Sequence, residues 1–305
     1  MIRRLDEIVT AAKRSELCVM AVAVAQDDDV LTAVAAAARE GIIRPILVGC
    51  KEKILEIASQ INIDVSAFEI VDEPDKEKAC MAAAGLVRDN KASLMMKGFV
   101  DTSYVMKAVL NKENNLKQSG MITHVAVMEV PGFDRLFYVT DSAMTIAPTL
   151  DNKVAIINNA VRIGHALGND CPKVAALCAV EKVNEKMPCT LDARALTEMN
   201  RRGEITGCVV SGPLAMDNAV SPAAAKHKGI DDPVAGNADV LLVPDIEAGN
   251  ILNKSMEYFA NAKKASVMVG AKVPIVLTSR ASSAESKTYS IALGALIASS
   301  ERGRV

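Results

Sequence analysis

Tryptophan is absent from this 305-residue chain, and four Tyr with five Phe bring the aromatic share to only 3%. A chain so poor in flat rings has little on which unpaired bases could stack, which argues against a single-strand nucleic-acid binder. An excess of one charge is missing too. Lys+Arg 35 against Asp+Glu 37 leaves a net charge of -2, so any anion site has to be local, and neither nucleic acid nor membrane is expected as a partner. No apolar run approaches the roughly 18 residues of a membrane span. The opening MIRRLDEIVTAAKR lacks an apolar stretch with a small-residue cleavage site, so a cytoplasmic protein is expected. Seven Cys are scattered without CxxC or Cys/His spacing, and His124, His165 and His227 stand at no ligand spacing from one another or from a Cys. Reduced thiols and no bound metal are the expectation, with His227, in AKHKG, a solvated loop residue. GxxxxGK[ST], GxSxG and a GxGxxG after the first apolar run are also missing, which excludes a P-loop, a nucleophile elbow and the usual dinucleotide fingerprint.

What the chain does have is an ordinary globular balance, 50% hydrophobic and 24% charged, and length enough for two domains. Apolar runs at 16–25, 42–48 and 93–96 alternate with helical patterns at 30–38, 51–60 and 102–110. Such alternation predicts parallel strands buried by helices on both faces. Residues 123–130 and 136–140 read as two strands joined by PGFDR, and after DSAMTIAP the alternation restarts: helix 153–167, strand 173–180, helix 191–201, strands 207–211 and 240–244, helix 251–262. Two doubly wound α/β domains facing a cleft follow, residues 1–141 with 283–305 and residues 142–282.

The closing stretch, VPIVLTSRASSAESKTYSIALGALIA, combines a strand at 273–277 with a helix from about Ser283, for which Ser282 and Glu285 have capping-box spacing. Ser279 and Arg280 then sit in a strand-to-helix turn, where free N–H groups and the helix dipole favour an anion and Arg280 adds a two-pronged donor. VPDIEAGNILNK offers a second such turn, with Asp245 at the strand end, Gly249 allowing close backbone approach, Asn250 as a cap and Lys254 one turn on. Lys97, Gly98, Asp141 and Gly212 also follow predicted strands, the place where open α/β sheets bind ligands.

DNAVS at 217–221, VPDIEAGNILNK at 243–254 and TSRASSAE at 278–285 together resemble the phosphate acetyl/butyryl transferase family, as do AVAVAQDDDVL, MMKGFVDTS and GPLAMDNA. The likeness spans essentially the whole chain and is strongest to the butyryl branch. It implies an isocitrate/isopropylmalate dehydrogenase-like fold, a homodimer or larger homo-oligomer, and reversible acyl transfer between coenzyme A and phosphate, both as substrates and with no cofactor. By resemblance Ser279 is a hydroxyl donor, Arg280 a phosphate ligand, and Gly249, Asn250 and Lys254 line the site with Lys97, Gly98, Asp141, Gly212, Asp217 and Asp245. One departure stands out. The family's acetyltransferases carry an Asp seven positions after the Ser, where this chain has Ser286; Glu285 beside it is the acidic candidate, and no Cys falls in a predicted strand-end turn beside the site. A metal-dependent decarboxylating dehydrogenase and a non-catalytic coenzyme A binder are the competing readings.

Overall fold

The computed structural model describes residues 1–117, 120–279 and 282–302. Two compact units divide the chain: Leu5–Ile122 with Ala265–Val305, and Met1–Arg4 with Thr123–Lys264. The boundaries thus fall before the 123–140 strand pair and after Lys264, whereas the sequence pattern places them at 141/142 and 282/283. The pair joins the middle unit because Leu136–Thr140 lies beside Val240–Leu242.

The first unit opens with α1 (Leu5–Arg14) and winds through β1 (Cys18–Ala23), α2 (Asp28–Arg39), β2 (Ile43–Gly49), α3 (Lys51–Gln60), β3 (Glu69–Asp72), α4 (Lys76–Arg88), β4 (Leu94–Lys97) and α5 (Thr102–Leu110). The ends of α2 have a local cause. The Asp27 side chain accepts from Val30 N at 2.9 Å and caps α2, two more acids sit in its first turn and Arg39 in its last, so cap and dipole agree. Val30, Leu31 and Val34 line its buried face; complete burial of one such side chain contributes about 1.5–3 kcal/mol.

The middle unit carries β5 (Thr123–Glu129), β6 (Leu136–Thr140), α6 (Leu150–Ala166), β7 (Lys173–Leu177), α7 (Pro188–Arg201), β8 (Val209–Leu214), α8 (Met216–Val220), α9 (Pro222–His227), β9 (Val240–Leu242) and α10 (Ile246–Tyr258). Its strands lie in the order β5-β6-β9-β7-β8. The β5–β6 pair is antiparallel and the rest run parallel. Phe137, Val139, Leu241 and Val243 are at its centre. Arg135 packs over Phe137, 5.0 Å from the ring centre, and donates to the carbonyls of Val220, Gly236 and Ala238.

The chain returns to the first unit with β10 (Lys263–Val269, from Ala265 onward), β11 (Ile275–Val276) and α11 (Ala284–Arg302). That unit's strand order is β3-β2-β1-β4-β11-β10. All neighbours are parallel except the β10–β11 pair. Gly294 lets α11 lie against the sheet, since a Cβ there would come within 2.8 Å of Leu94 and 3.0 Å of Val276. Both units are therefore parallel-rich α/β sheets, as the alternation of patterns implies. Helices α1, α4, α8 and α9 and strands β3 and β10 escaped that pattern.

Candidate active site

In the first unit, β1, β2 and β3 spread to one side while β4 and β11 lie on the other, so the strand order reverses between β1 and β4. Such a switch point leaves a crevice at the carboxyl ends of the strands. Lys97 is the last residue of β4, buried at 4% exposure, and its ammonium donates to the carbonyls of Gly98 at 3.2 Å and Val100 at 2.9 Å. Gly98 is required by space: a Cβ there would stand 2.1 Å from the Val24 carbonyl oxygen. Val276 is opposite Met96 in the parallel β4–β11 register. The chain therefore leaves β11 toward Ser279 at the same edge where β4 ends in Lys97.

Ser279 is exposed, and its carbonyl accepts from Ser282 N at 3.0 Å. Arg280 lies outside the described residues. The helix start differs in detail from the capping box expected of Ser282 and Glu285. Ser283 is the cap, its Oγ accepting from Ser286 N at 3.2 Å. Glu285 Oε1 instead lies 3.2 Å from the Tyr289 hydroxyl, whose one proton is shared between it and Asp6 at 2.7 Å. Burial and these two carboxylates together push the Tyr289 hydroxyl well above its ordinary range. A residue that the pattern missed, Lys287, is 2% exposed; its ammonium donates to the Ser282 carbonyl and pairs with Asp29 at 3.4 Å. Its signal was a lone Lys among the positions of α11 that face the core. Ser282 Oγ is buried with no partner among the described residues, a state that costs about 1–3 kcal/mol for a polar group.

In the middle unit the structure brings Asp141, Gly249 and Asn250 together. Asp141, 2% exposed, follows β6 and accepts at one oxygen from Ala143 N and Met144 N and at the other from the Thr145 hydroxyl. Gly249 lies against it: a Cβ would meet the Asp141 carbonyl oxygen at 2.9 Å and Ser142 Cα at 3.0 Å. Asn250 Nδ2 reaches the Ser142 carbonyl at 3.5 Å. Helix α10 begins at Ile246, earlier than expected, because Asp245 rather than Asn250 is its cap, accepting from Ala248 N at 2.8 Å. Gly249 and Asn250 consequently stand inside the helix. Lys254 follows one turn later, bound to Glu257 at 3.3 Å and over the Tyr258 ring.

Sequence reading passed over the buried groups that hold this cluster. His124 Nδ1 is 3.2 Å from Ser142 Oγ, which also accepts from Asn253 Nδ2 at 3.3 Å. Burial pulls the His124 pKa down to about 4, against the attraction of Asp141 and with help from Lys264, so the ring is neutral near pH 7. Two other expected residues sit elsewhere. Gly212 is inside β8, not after it, where a Cβ would crowd Ala176 and Ala193. Asp217 is an exposed residue of α8 whose carboxylate pairs with Lys228 at 3.1 Å; hydrogen bonding to that Lys, opposed by slight burial, lowers its pKa.

With this geometry in hand, comparison with known proteins is decisive. The sequence model of the phosphate acetyl/butaryl transferase family matches residues 4–82 and 76–295. The chain belongs to the phosphate acetyl/butyryl transferase family. Within that family it is 49% identical, over 98% of its own length and 99% of the relative's, to a phosphate butyryltransferase of Clostridium acetobutylicum. A phosphate acetyltransferase of Thermotoga maritima is 46% identical over 92% of this chain and 95% of its own. Among solved structures, a branched-chain phosphotransacylase from Enterococcus faecalis V583 superposes with a TM-score of 0.82 at 32% identity, covering 92% of this chain and 99% of that one.

Proposed function

We propose that this member of the family transfers a short-chain acyl group reversibly between coenzyme A and inorganic phosphate: butyryl-CoA plus phosphate gives butyryl phosphate plus coenzyme A. The observation that carries the reading is near-full-length identity of 49% to a protein named for that reaction. Local chemistry supports it. In the direction toward acyl-CoA, a thiolate adds to the acyl carbonyl, the carbon–oxygen bond to phosphate breaks, and phosphate departs with its electron pair. Negative charge grows first on the carbonyl oxygen and then on phosphate, so the site needs a hydroxyl or N–H donor for the former and cations for the latter.

On this reading Ser279 donates to the carbonyl oxygen, and Arg280, with the start of α11, receives phosphate. Ser282 Oγ, buried without a partner among the described residues, supplies another donor at the same turn. Lys97 and Gly98 in the first unit, and separately Asp141, Asp245, Gly249, Asn250 and Lys254 in the middle unit, are the candidate contacts to substrate; Gly212 and Asp217 act by shaping β8 and α8. Glu285 accepts from Tyr289, and service as thiol base would require that bond to open. The same reading includes a cytoplasmic homo-oligomer, which light scattering of the purified chain would test.

A decarboxylating dehydrogenase is not favoured: Asp141, Asp217 and Asp245 each have separate local partners. A coenzyme A binder without chemistry is not favoured by the family relatives, which are named for transfer. Release of free coenzyme A from butyryl-CoA and acetyl-CoA should require phosphate and survive a chelator. Release without phosphate, or only with Mg²⁺ or Mn²⁺, would overturn the assignment.

A further inference from the structure

The middle unit has its own switch point, between β7 and β9, because β8 lies on one side and β9, β6 and β5 on the other. Cys178 is the first residue beyond β7, a strand that ends three residues earlier than its apolar run implies, and it is held there by its N–H donating to the Leu214 carbonyl at 2.9 Å. Cys189 is the second residue of α7, behind Pro188. Ala176 and Leu177, which lead into Cys178, line one small cavity together with Cys189, Lys153, Asp192 and the end of β9. Cys189 is among the close neighbours that raise the Cys178 thiol, and both are half-buried, so a small reagent can reach them. Between them runs 179–188, a largely exposed stretch in which Val180–Lys186 lines an open pocket of about 670 Å³.

We propose that Cys178 and Cys189 form a dithiol site that a small-molecule disulfide oxidises to an intrachain bridge, fastening the 179–188 segment between β7 and α7. The electrons balance through two exchanges. The Cys189 thiolate attacks one sulfur of the small disulfide; a Cys189 mixed disulfide forms and one small thiolate leaves. The Cys178 thiolate then attacks Cys189 sulfur, the protein bridge forms, and the second small thiolate leaves. Two electrons pass from the protein thiols to the small disulfide, and the two thiol protons end on the released thiols.

The order of attack follows from the surroundings. Burial, then the neighbouring Cys189, pushes the Cys178 thiol up to about 12, while Lys153 acts the other way. Cys178 is therefore the poor nucleophile at the outset. Once Cys189 is capped, its charge no longer holds the Cys178 proton, and the Lys153 ammonium remains, opposed by its partner Asp192. Lys153 is itself buried and paired with Asp192 at 2.7 Å, so it is fixed in position. Of the other neighbouring thiols, Cys208 is buried, which pushes its thiol up to about 11, and Cys171 is exposed on its own.

The test uses the whole purified chain with oxidised glutathione. Wild type should lose two of its seven thiols to a bridge that peptide mapping assigns to 178 and 189. After tryptic nicking at Lys182 or Lys186, the oxidised chain should run as one piece without reductant and as two with it. Cys178→Ser should trap a glutathione adduct on Cys189, whereas Cys189→Ser should leave Cys178 unmodified. Dibromobimane should cross-link the wild-type pair directly, a readout that needs no variant to fold. Retention of the two thiols with an adduct on Cys171 alone, a bridge mapped to 171 and 208, or no bimane cross-link would overturn the proposal.

Discussion

Asp245 and Ser283 occupy the same station, the residue just before a long helix, and leave opposite electrostatics behind them. At α10 the cap is a carboxylate, so the positive end of the helix dipole is already answered by a fixed anion. At α11 the cap is a neutral hydroxyl, Glu285 is turned toward Tyr289, and a buried Lys287 grips the turn from beneath. The first arrangement suits a neutral or cationic neighbour and is packed by Gly249 against Asp141. The second retains attraction for an incoming dianion. Similar strand-to-helix geometry therefore does not make two equivalent phosphate sites.

The largest expected difference is in activity. Ser279→Ala should lower kcat by about 10²–10³ with little change in KM, as for loss of one oxyanion donor, and Arg280→Ala should also raise KM for phosphate sharply. Arg280→Lys should fall between wild type and Arg280→Ala, since it keeps the charge and loses the two-pronged geometry. Lys254→Ala at the other turn should act on KM for acyl-CoA and spare KM for phosphate. Equal phosphate effects at the two turns would erase the distinction.

Next comes pH, which addresses the α10 side through His124. Its folded pKa, about 4, lies below the ordinary 6.5, so the unfolded chain takes up the proton first. Stability from this group is complete above pH 6.5 and drains away as pH falls toward 4, on the order of 3 kcal/mol in all. Urea unfolding at stepped pH should show that loss in wild type, and His124→Gln should flatten it. A wild-type curve level between pH 6.5 and 4 would remove the buried neutral His from the account.

Gly249→Ala should destabilise by about 1–3 kcal/mol through overpacking, because its Cβ would meet Val243 at 2.7 Å and backbone atoms of Asp141 and Ser142. Gly41→Ala is not a fair control, since Gly41 has φ +73; Gly85→Ala, inside α4 with only the tip of Arg88 within 4 Å, is. Thermal melts should separate the two.

The smallest effect concerns the caps themselves. Asp245→Ala should cost about 1 kcal/mol, while Ser283→Asp should add roughly 0.3–1 kcal/mol through the dipole and yet raise KM for phosphate. If Ser283→Asp leaves phosphate affinity intact, the α11 turn is not where the dianion sits.

The order of apolar runs and helical patterns was enough to determine the α/β class, and TSRASSAE with VPDIEAGNILNK was enough to determine the family, because both depend on residues close together in sequence. Tertiary structure decided the rest. Ser283 rather than Ser282 caps α11, and whether Glu285 is available turns on Tyr289 and on Asp6 from the far end of the chain. Gly212 read as lying just past a strand ending at 211, but β8 continues through it, where a Cβ would crowd Ala176 and Ala193. Lys287 and His124 were hard to read in the sequence for one reason. Each is defined by what a buried polar group meets, and those partners are up to 258 positions away, a separation over which only the packed core sets distance.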